Sequence, residues 1–142
     1  GSAANISAGT QGKGSDSCVV DCEFAWSFDG VRMFSSDYGA ATQNHFIGCL
    51  FHNNSGTCFE ENDAGVIGTV RNLEVKDCVF DNMEDGTKPA DFVDLDSTNC
   101  TGIFTGNSFA LATNASADLK IAAGILWVAN ATEAGISTAR PS

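Results

Sequence analysis

A repeat of 27 to 29 residues is the feature of this sequence that most limits its fold. The segments VVDCEF, FIGCLF, VKDCVF and FTGNSF end at Phe24, Phe51, Phe80 and Phe109. Each segment has an apolar residue at its first position, Asp or Gly at its third, Cys or Asn at its fourth and Phe at its last. A unit this short can bury an apolar face only against its neighbours, so the repeat predicts stacked, mutually dependent units.

The columns of the repeat predict a bend inside each segment. The apolar residue and the Phe are five positions apart, so a straight strand would place their side chains on opposite faces. Asp21, Gly48, Asp77 and Gly106 at the third position suit the left-handed backbone conformation of a tight bend. We therefore expect a strand, a bend at the third and fourth positions and a second strand, with both apolar side chains facing one core.

Composition and turn signals favour an all-β chain. The sequence has 15 Gly and 10 Phe, and no window keeps apolar residues at helical spacing. A polar or glycine-bearing turn signal follows each of the first three segments, and a further short strand is predicted after every segment. These further strands cover residues 31–34, 57–60, 92–95 and 119–121.

The alternation of apolar residue, bend, Phe and Asn-rich turn resembles the right-handed parallel β-helix superfamily, which includes pectate lyases, polygalacturonases and bacteriophage tailspikes. The resemblance covers roughly residues 17–124 and implies a solenoid of about four to five coils. In that family the bend often carries a stacked asparagine ladder; Asn107 matches this column, whereas Cys22, Cys49 and Cys78 depart from it. A β-sandwich is the competing fold, although it does not by itself predict four aligned columns.

The chain divides into three parts. Residues 1–16 begin with a Gly-Ser pair that we interpret as a remnant of cloning, and they form a flexible or extended lead-in. Residues 17–124 hold the coils. Residues 125–142 form a C-terminal cap or an oligomer contact, because an open stack of strands exposes its apolar ends. We expect the chain to be a fragment of a longer protein.

The six cysteines are interpreted as structural. Three of them share one column with an asparagine, and three thiols in one column cannot all pair with one another. We expect buried thiols that behave as small apolar groups, with a disulfide framework and zinc as alternatives; the absence of a Cys-x-x-Cys motif opposes zinc. The structural column consists of Cys22, Cys49, Cys78 and Asn107, together with the packing residues Phe24, Phe51, Phe80 and Phe109.

Acidic residues supply a catalytic alternative. Asp94 and Asp96 alternate to one side of a predicted strand about 7 Å apart, and Glu61 belongs to the preceding repeat. Two carboxyl groups about 5 to 9.5 Å apart can hydrolyse a glycosidic bond. The competing interpretation is a solvated acidic face. Oxygen ligands would suit Ca²⁺, but no segment has the Asp-x-Asp-x-Asp-Gly pattern, so we expect no cofactor.

Two aromatic residues are candidates for ligand binding. Trp26 and Tyr38 lie outside the four columns, so the packing of the repeat does not require them. Their flat faces would suit a sugar ring, although Trp26 follows Phe24 by two positions and could instead point inward.

Charge and hydropathy exclude two classes of partner. Seven Lys and Arg against eighteen Asp and Glu give a net charge of −11, which repels a phosphate backbone. The longest apolar run, residues 121–129, is shorter than the roughly 20 residues of a membrane-spanning helix. We expect neither nucleic-acid binding nor membrane insertion.

The resemblance, taken with the absence of a strong catalytic motif, favours a non-enzymatic structural or adhesive module. It implies a phage or phage-like virion protein, such as a tailspike, fibre or capsid-decoration protein, that binds carbohydrate. It also implies a homotrimer, located in the virion or outside the cell, with polysaccharide or other virion proteins as partners. A polysaccharide hydrolase or lyase is the alternative, so enzymatic activity stays open.

Overall fold

A computed structural model of the chain describes residues 2–7, 17–34, 41–62, 70–96, 100–110 and 118–141. These residues form strands and turns without a helix. It follows that none of the described ranges holds a helix long and apolar enough to cross a membrane. The prediction of an all-β fold is confirmed.

The strands are short and are numbered in chain order. The first nine are β1 (Ser2–Ser7), β2 (Cys18–Val20), β3 (Glu23–Ala25), β4 (Asp29–Phe34), β5 (Ala41–Thr42), β6 (His45–Ile47), β7 (Leu50–His52), β8 (Thr57–Asn62) and β9 (Val70–Arg71). The remaining nine are β10 (Leu73–Lys76), β11 (Val79–Phe80), β12 (Asp91–Leu95), β13 (Thr101–Thr105), β14 (Ser108–Phe109), β15 (Leu119–Ile121), β16 (Gly124–Val128), β17 (Asn130–Thr132) and β18 (Gly135–Ser137).

Three larger sheets organise these strands. The first sheet has the order β1-β4-β8-β12-β15, the second β16-β13-β10-β6-β2 and the third β18-β17-β14-β11-β7-β3, while β5 and β9 pair separately. Strands pair in parallel throughout these described sheets, except that β17 and β18 are antiparallel. The first sheet contains the four further strands predicted from the turn signals, with β4, β8 and β12 one or two residues longer than expected.

Residues in the same column of the sequence repeat pair with one another on adjacent strands of two sheets. In the second sheet the first-position residues pair in a row, and in the third sheet the last-position phenylalanines do the same. The rows are Val19, Phe46, Val75 and Phe104, and Phe24, Phe51, Phe80 and Phe109. A bend separates each second-sheet strand from the next third-sheet strand, with positive φ of 51°, 64°, 53° and 66° at Asp21, Gly48, Asp77 and Gly106. The predicted left-handed bend is confirmed.

Stacked aromatic rings form the centre of the core. The rings of Phe51 and Phe80 are 4.6 Å apart and nearly parallel, as are those of Phe80 and Phe109. Trp127 extends the neighbouring row by stacking on Phe104 at 5.9 Å. Burial of one such side chain contributes about 1.5–3 kcal/mol, so each repeat is stabilised mainly by the repeats beside it.

The assignment to the right-handed parallel β-helix superfamily is wrong. The described residues form three separate sheets that do not close on one another, and the third sheet is mixed because β17 and β18 are antiparallel. The four columns specify a bend and a strand register. Parallel pairing between repeats is enough to produce both, and it does not require the strands to wind as a single solenoid. The structure therefore does not show the predicted coils. The β-sandwich alternative fails as well, because sandwiches are built from antiparallel sheets.

The two ends of the chain take part in the sheets. Ser2–Ser7 lies in the predicted lead-in, yet it forms β1 and extends the first sheet by pairing with β4. At the other end, β16 crosses the predicted boundary at residue 124 and continues the second sheet. The β17–β18 hairpin then ends the third sheet. Whether residues 125–142 act as a cap or as an oligomer contact stays a prediction.

Candidate functional site

The fourth position of the repeat forms a hydrogen-bonded ladder. The backbone N–H of Cys49 donates to Sγ of Cys78 at 3.4 Å, and the N–H of Cys78 donates to Oδ1 of Asn107 at 2.9 Å. The N–H of Asn107 donates in turn to Oδ1 of Asn130 at 3.0 Å. The side chains in this column therefore accept the backbone donors exposed by the bends, which is a structural role.

Asn130 is a fifth rung that the sequence pattern missed. Its Nδ2 donates to the carbonyl of Phe104 at 2.9 Å, as Nδ2 of Asn107 does to Val75. Ala129 takes the bend position with φ of 51°, and Thr132 stands where the other copies have Phe. Two altered columns hid this copy, although Trp127 at the first position and Asn130 itself at the fourth both match the pattern.

All six cysteines are free thiols. Cys49, Cys58, Cys78 and Cys100 are buried, whereas Cys18 and Cys22 are exposed. Cys22 occupies the first rung, beside β2 and β3 at the edges of their sheets, so no earlier repeat of these sheets covers it. The expectation of burial therefore fails for Cys18 and Cys22.

The buried thiols are poor nucleophiles. Burial raises the pKa of Cys58 and Cys78 to about 12, and burial together with the Glu61 carboxyl raises the pKa of Cys100. The thiolate is the reactive form, so these groups are inert near neutral pH.

The first sheet carries a row of charges on one face. Arg32, Glu60, Asp94 and Lys120 are in register on adjacent strands. Arg32 pairs with Glu60, and Nζ of Lys120 lies 2.8 Å from Oδ2 of Asp94. Lys120 also reaches Asp91 at 3.0 Å, and the two carboxylates raise the pKa of Lys120. The row is a ladder of ion pairs between strands.

The structure places two of the predicted catalytic residues, Asp94 and Glu61, on opposite sides of the first sheet. Asp94 is opposite Glu60, so the next residue, Glu61, points to the other side of the sheet, where it accepts a hydrogen bond from Cys100 Sγ at 3.0 Å. Asp96 lies beyond the end of β12 and is exposed. Glu60, and not the predicted Glu61, is the neighbour of Asp94, because the register between two strands is a tertiary property.

A cleft opens beside Trp26. It has a volume of about 340 Å³ and is lined by Trp26, Asn53, Met83, Glu84 and Asp85. Trp26 is 67% exposed, so its ring is presented to solvent and not to the core. Its φ of 57° is unusual for a bulky residue, and such backbone strain is concentrated at functional positions. The cleft is the candidate site of this chain.

A tight turn builds the acidic wall of the cleft. The N–H of Gly86 donates to the carbonyl of Met83 at 2.8 Å, and the N–H of Met83 donates to the carbonyl of Thr87 at 2.9 Å. Oδ1 of Asp85 accepts hydrogen bonds from the N–H and Oγ1 of Thr87, at 2.9 and 2.7 Å. These bonds hold the turn in place and lower the pKa of Asp85.

Asn53 belongs to the same cleft and carries an unsatisfied acceptor. Its backbone N–H donates to the carbonyl of Asn82 at 3.1 Å, and its Nδ2 lies 2.9 Å from Nδ1 of His52. The residue is only 8% exposed, yet its Oδ1 has no hydrogen-bond partner within the described ranges. A buried acceptor without a partner is costly to the folded protein, so this wall of the cleft is held at some expense of stability.

Tyr38 lies outside the described residues. Within those residues no group of three His, Cys, Asp or Glu side chains is arranged to hold a metal ion. The expectation that the protein works without a cofactor stays a prediction.

Comparison with known proteins identifies no relative. No protein-family model matches the chain, and neither a curated protein nor a solved structure matches it.

Proposed function

We propose that the chain is a non-enzymatic structural module that binds carbohydrate at the cleft beside Trp26. The observation that carries this proposal is the exposed indole of Trp26 in a cleft with polar walls. A flat aromatic face can cover the apolar face of a sugar ring, while carboxylate oxygens accept hydrogen bonds from its hydroxyl groups.

The rest of the chain supports a scaffold role. The aromatic stack, the hydrogen-bonded ladder and the charge row all join one repeat to the next. The residues that these interactions join are far apart in sequence but adjacent in space. The interactions therefore hold the turns between the strands in fixed positions. A rigid scaffold reduces the entropy lost when a ligand binds to such turns.

A polysaccharide hydrolase is the weaker candidate. Asp94 and Glu60 are opposite each other on adjacent strands, and burial raises the pKa of Glu60, as a general acid requires. Both carboxylates are nevertheless engaged by Arg32 and Lys120, which leaves no carboxylate of this pair directed at a substrate. We therefore favour binding without hydrolysis.

The virion location, the trimeric state and the virion partners have no support beyond the sequence. They are predictions drawn from a resemblance that the three separate sheets overturn. The proposal of a structural, carbohydrate-binding module does not depend on them. Light scattering during size-exclusion chromatography measures the oligomeric state directly, and a monomer would contradict the trimer.

A binding assay tests the proposed function. The protein is applied to an array of bacterial, plant and animal oligosaccharides, and hits are measured by calorimetry with the wild type and with Trp26→Ala. Leu126→Ala serves as the control, because Leu126 is also exposed but lies on the second sheet away from the cleft. Binding that Trp26→Ala removes and Leu126→Ala leaves supports the proposal. No binding to any oligosaccharide contradicts it, and release of reducing ends would favour the hydrolase.

A further inference from the structure

The lining of the Trp26 cleft is negatively charged and rich in hydrogen-bond acceptors. Glu84 and Asp85 are exposed carboxylates on one wall, and the other polar lining residue, Asn53, is largely buried. No Lys or Arg occurs among the described residues that line the cleft. A ligand that fits this lining must bring donors, and a positively charged donor fits it better than a neutral one.

Within the described ranges, no cationic side chain forms a salt bridge with the carboxylates of this wall. The hydrogen bonds from Thr87 keep Asp85 ionised at neutral pH. Lys88 follows this turn in the sequence, but its Nζ is directed to Asp118, at 2.9 Å from Oδ1 and 3.1 Å from Oδ2. His52, next to Asn53, has its Nε2 2.6 Å from Oε1 of Glu23.

Trp26 provides a second attraction for a cation. The face of an indole is the strongest aromatic partner for a positive charge, and the exposed ring lies in the same cleft as the two carboxylates. The net charge of −11 adds a long-range attraction for cations and repels anionic sugars.

We propose that the cleft binds an amino sugar with an unsubstituted, protonated amine, such as a glucosamine unit of a polysaccharide. The pyranose ring lies against Trp26, and the ammonium group pairs with Glu84 and Asp85. This inference rests on the carbohydrate-binding function proposed above and adds the class of sugar.

Calorimetry with two matched oligosaccharides tests this inference on the full chain. The probes are a glucosamine hexamer and an N-acetylglucosamine hexamer, which have the same length and linkage but differ in charge. We expect the glucosamine hexamer to bind roughly tenfold more tightly, with an affinity that falls as salt is added. Trp26→Ala should weaken the binding of both hexamers.

Charge-neutralising variants isolate the contribution of the wall. Glu84→Gln with Asp85→Asn should reduce the preference for the glucosamine hexamer over the neutral hexamer to less than about twofold. Glu133→Gln is the matched control, because Glu133 is an exposed carboxylate in the β17–β18 turn. This control should leave both affinities unchanged. Thermal melts verify that all variants are folded.

The outcomes separate this inference from the proposed function. Equal affinity for the two hexamers overturns the charge preference but leaves carbohydrate binding intact. A lysine hexapeptide that binds as tightly as the glucosamine hexamer shows a site for any cation, and it overturns the amino-sugar assignment. If neither hexamer binds while other sugars on the array do, the amino-sugar inference fails but the proposed carbohydrate binding stands.

Discussion

Gly48 and Asp21 lie at successive bends and are in close contact. A Cβ atom on Gly48 would lie 2.5 Å from Oδ1 of Asp21. The same relationship holds between Gly106 and Asp77 two repeats later. The Asp side chain of one bend occupies the space in which the next bend would place a Cβ atom. This contact explains why Asp and Gly alternate along the third column.

Replacing Gly106 by Ala should destabilise the protein by about 2–3 kcal/mol. About 1 kcal/mol arises from the left-handed backbone, since φ is 66°, and the remainder arises from the clash with Asp77. Chemical denaturation measures the free energy of unfolding. In an Asp77→Gly background the cost of Gly106→Ala should fall to about 1 kcal/mol, because only the backbone contribution is left.

Gly86→Ala is the control for this pair. Gly86 also has a positive φ, of 81°, but a Cβ atom there would meet no atom within 4 Å. The decrease in the free energy of unfolding caused by Gly86→Ala should match the decrease caused by Gly106→Ala in the Asp77→Gly background. Additive effects of Asp77→Gly and Gly106→Ala would contradict the proposed contact.

Asn107→Ala should lower the free energy of unfolding by about 2–4 kcal/mol. The change leaves the N–H of Cys78 and the carbonyl of Val75 without their buried side-chain partners. Asn107→Cys should cost less, because a thiol accepts the equivalent N–H bond one repeat earlier. Ser108→Ala, at an exposed neighbouring position, should change stability by less than about 0.5 kcal/mol. If Asn107→Ala and Asn107→Cys lowered the free energy of unfolding equally, the hydrogen-bonded ladder would be excluded as the cause of the destabilisation.

The thiols should react in two classes. In the native protein near pH 8 we expect an alkylating reagent to modify Cys18 and Cys22, which are exposed, and to spare the buried thiols. A pKa of about 12 leaves Cys58 and Cys78 with roughly one thiolate in ten thousand at that pH. Mass spectrometry of proteolytic peptides locates the modified residues, and labelling in urea should reach all six. Rapid native labelling of Cys58 would refute its burial.

Glu60 should make stability fall as the pH rises. Burial raises the pKa of Glu60 above its ordinary value of 4.5, so the folded protein binds this proton more tightly than the unfolded chain. The contribution of Glu60 is therefore most favourable below pH 4.5 and decreases as the pH increases through the raised pKa. Glu60→Gln does not titrate, so its stability relative to the wild type should increase from about pH 4 to about pH 7.

Urea denaturation at several pH values measures this change, with Glu133→Gln as the exposed control. A constant difference between Glu60→Gln and the wild type across this range would show that Glu60 keeps an ordinary pKa.

The sequence predicted the local features of the fold well. The bend at the third position and the strands of the first sheet depend on backbone preferences and on residue spacing, which can be read along the chain. Asn130 was missed because Ala129 and Thr132 break the pattern, although Ala129 adopts the same left-handed conformation. The assignment of the repeat to a known superfamily failed because a repeat length and four columns do not specify how sheets close.

The sequence by itself determined that the chain is all-β, where it bends and which residues share a column. Only the tertiary structure decided which carboxylates meet. A shift of one residue in register exchanges the two faces of a strand, and so Asp94 faces Glu60 while Glu61 points to Cys100 on the other side. The cleft was equally hidden, since Trp26 and Glu84 are 58 positions apart in the sequence and line one cleft only because both of their repeats pair in parallel with the repeat between them.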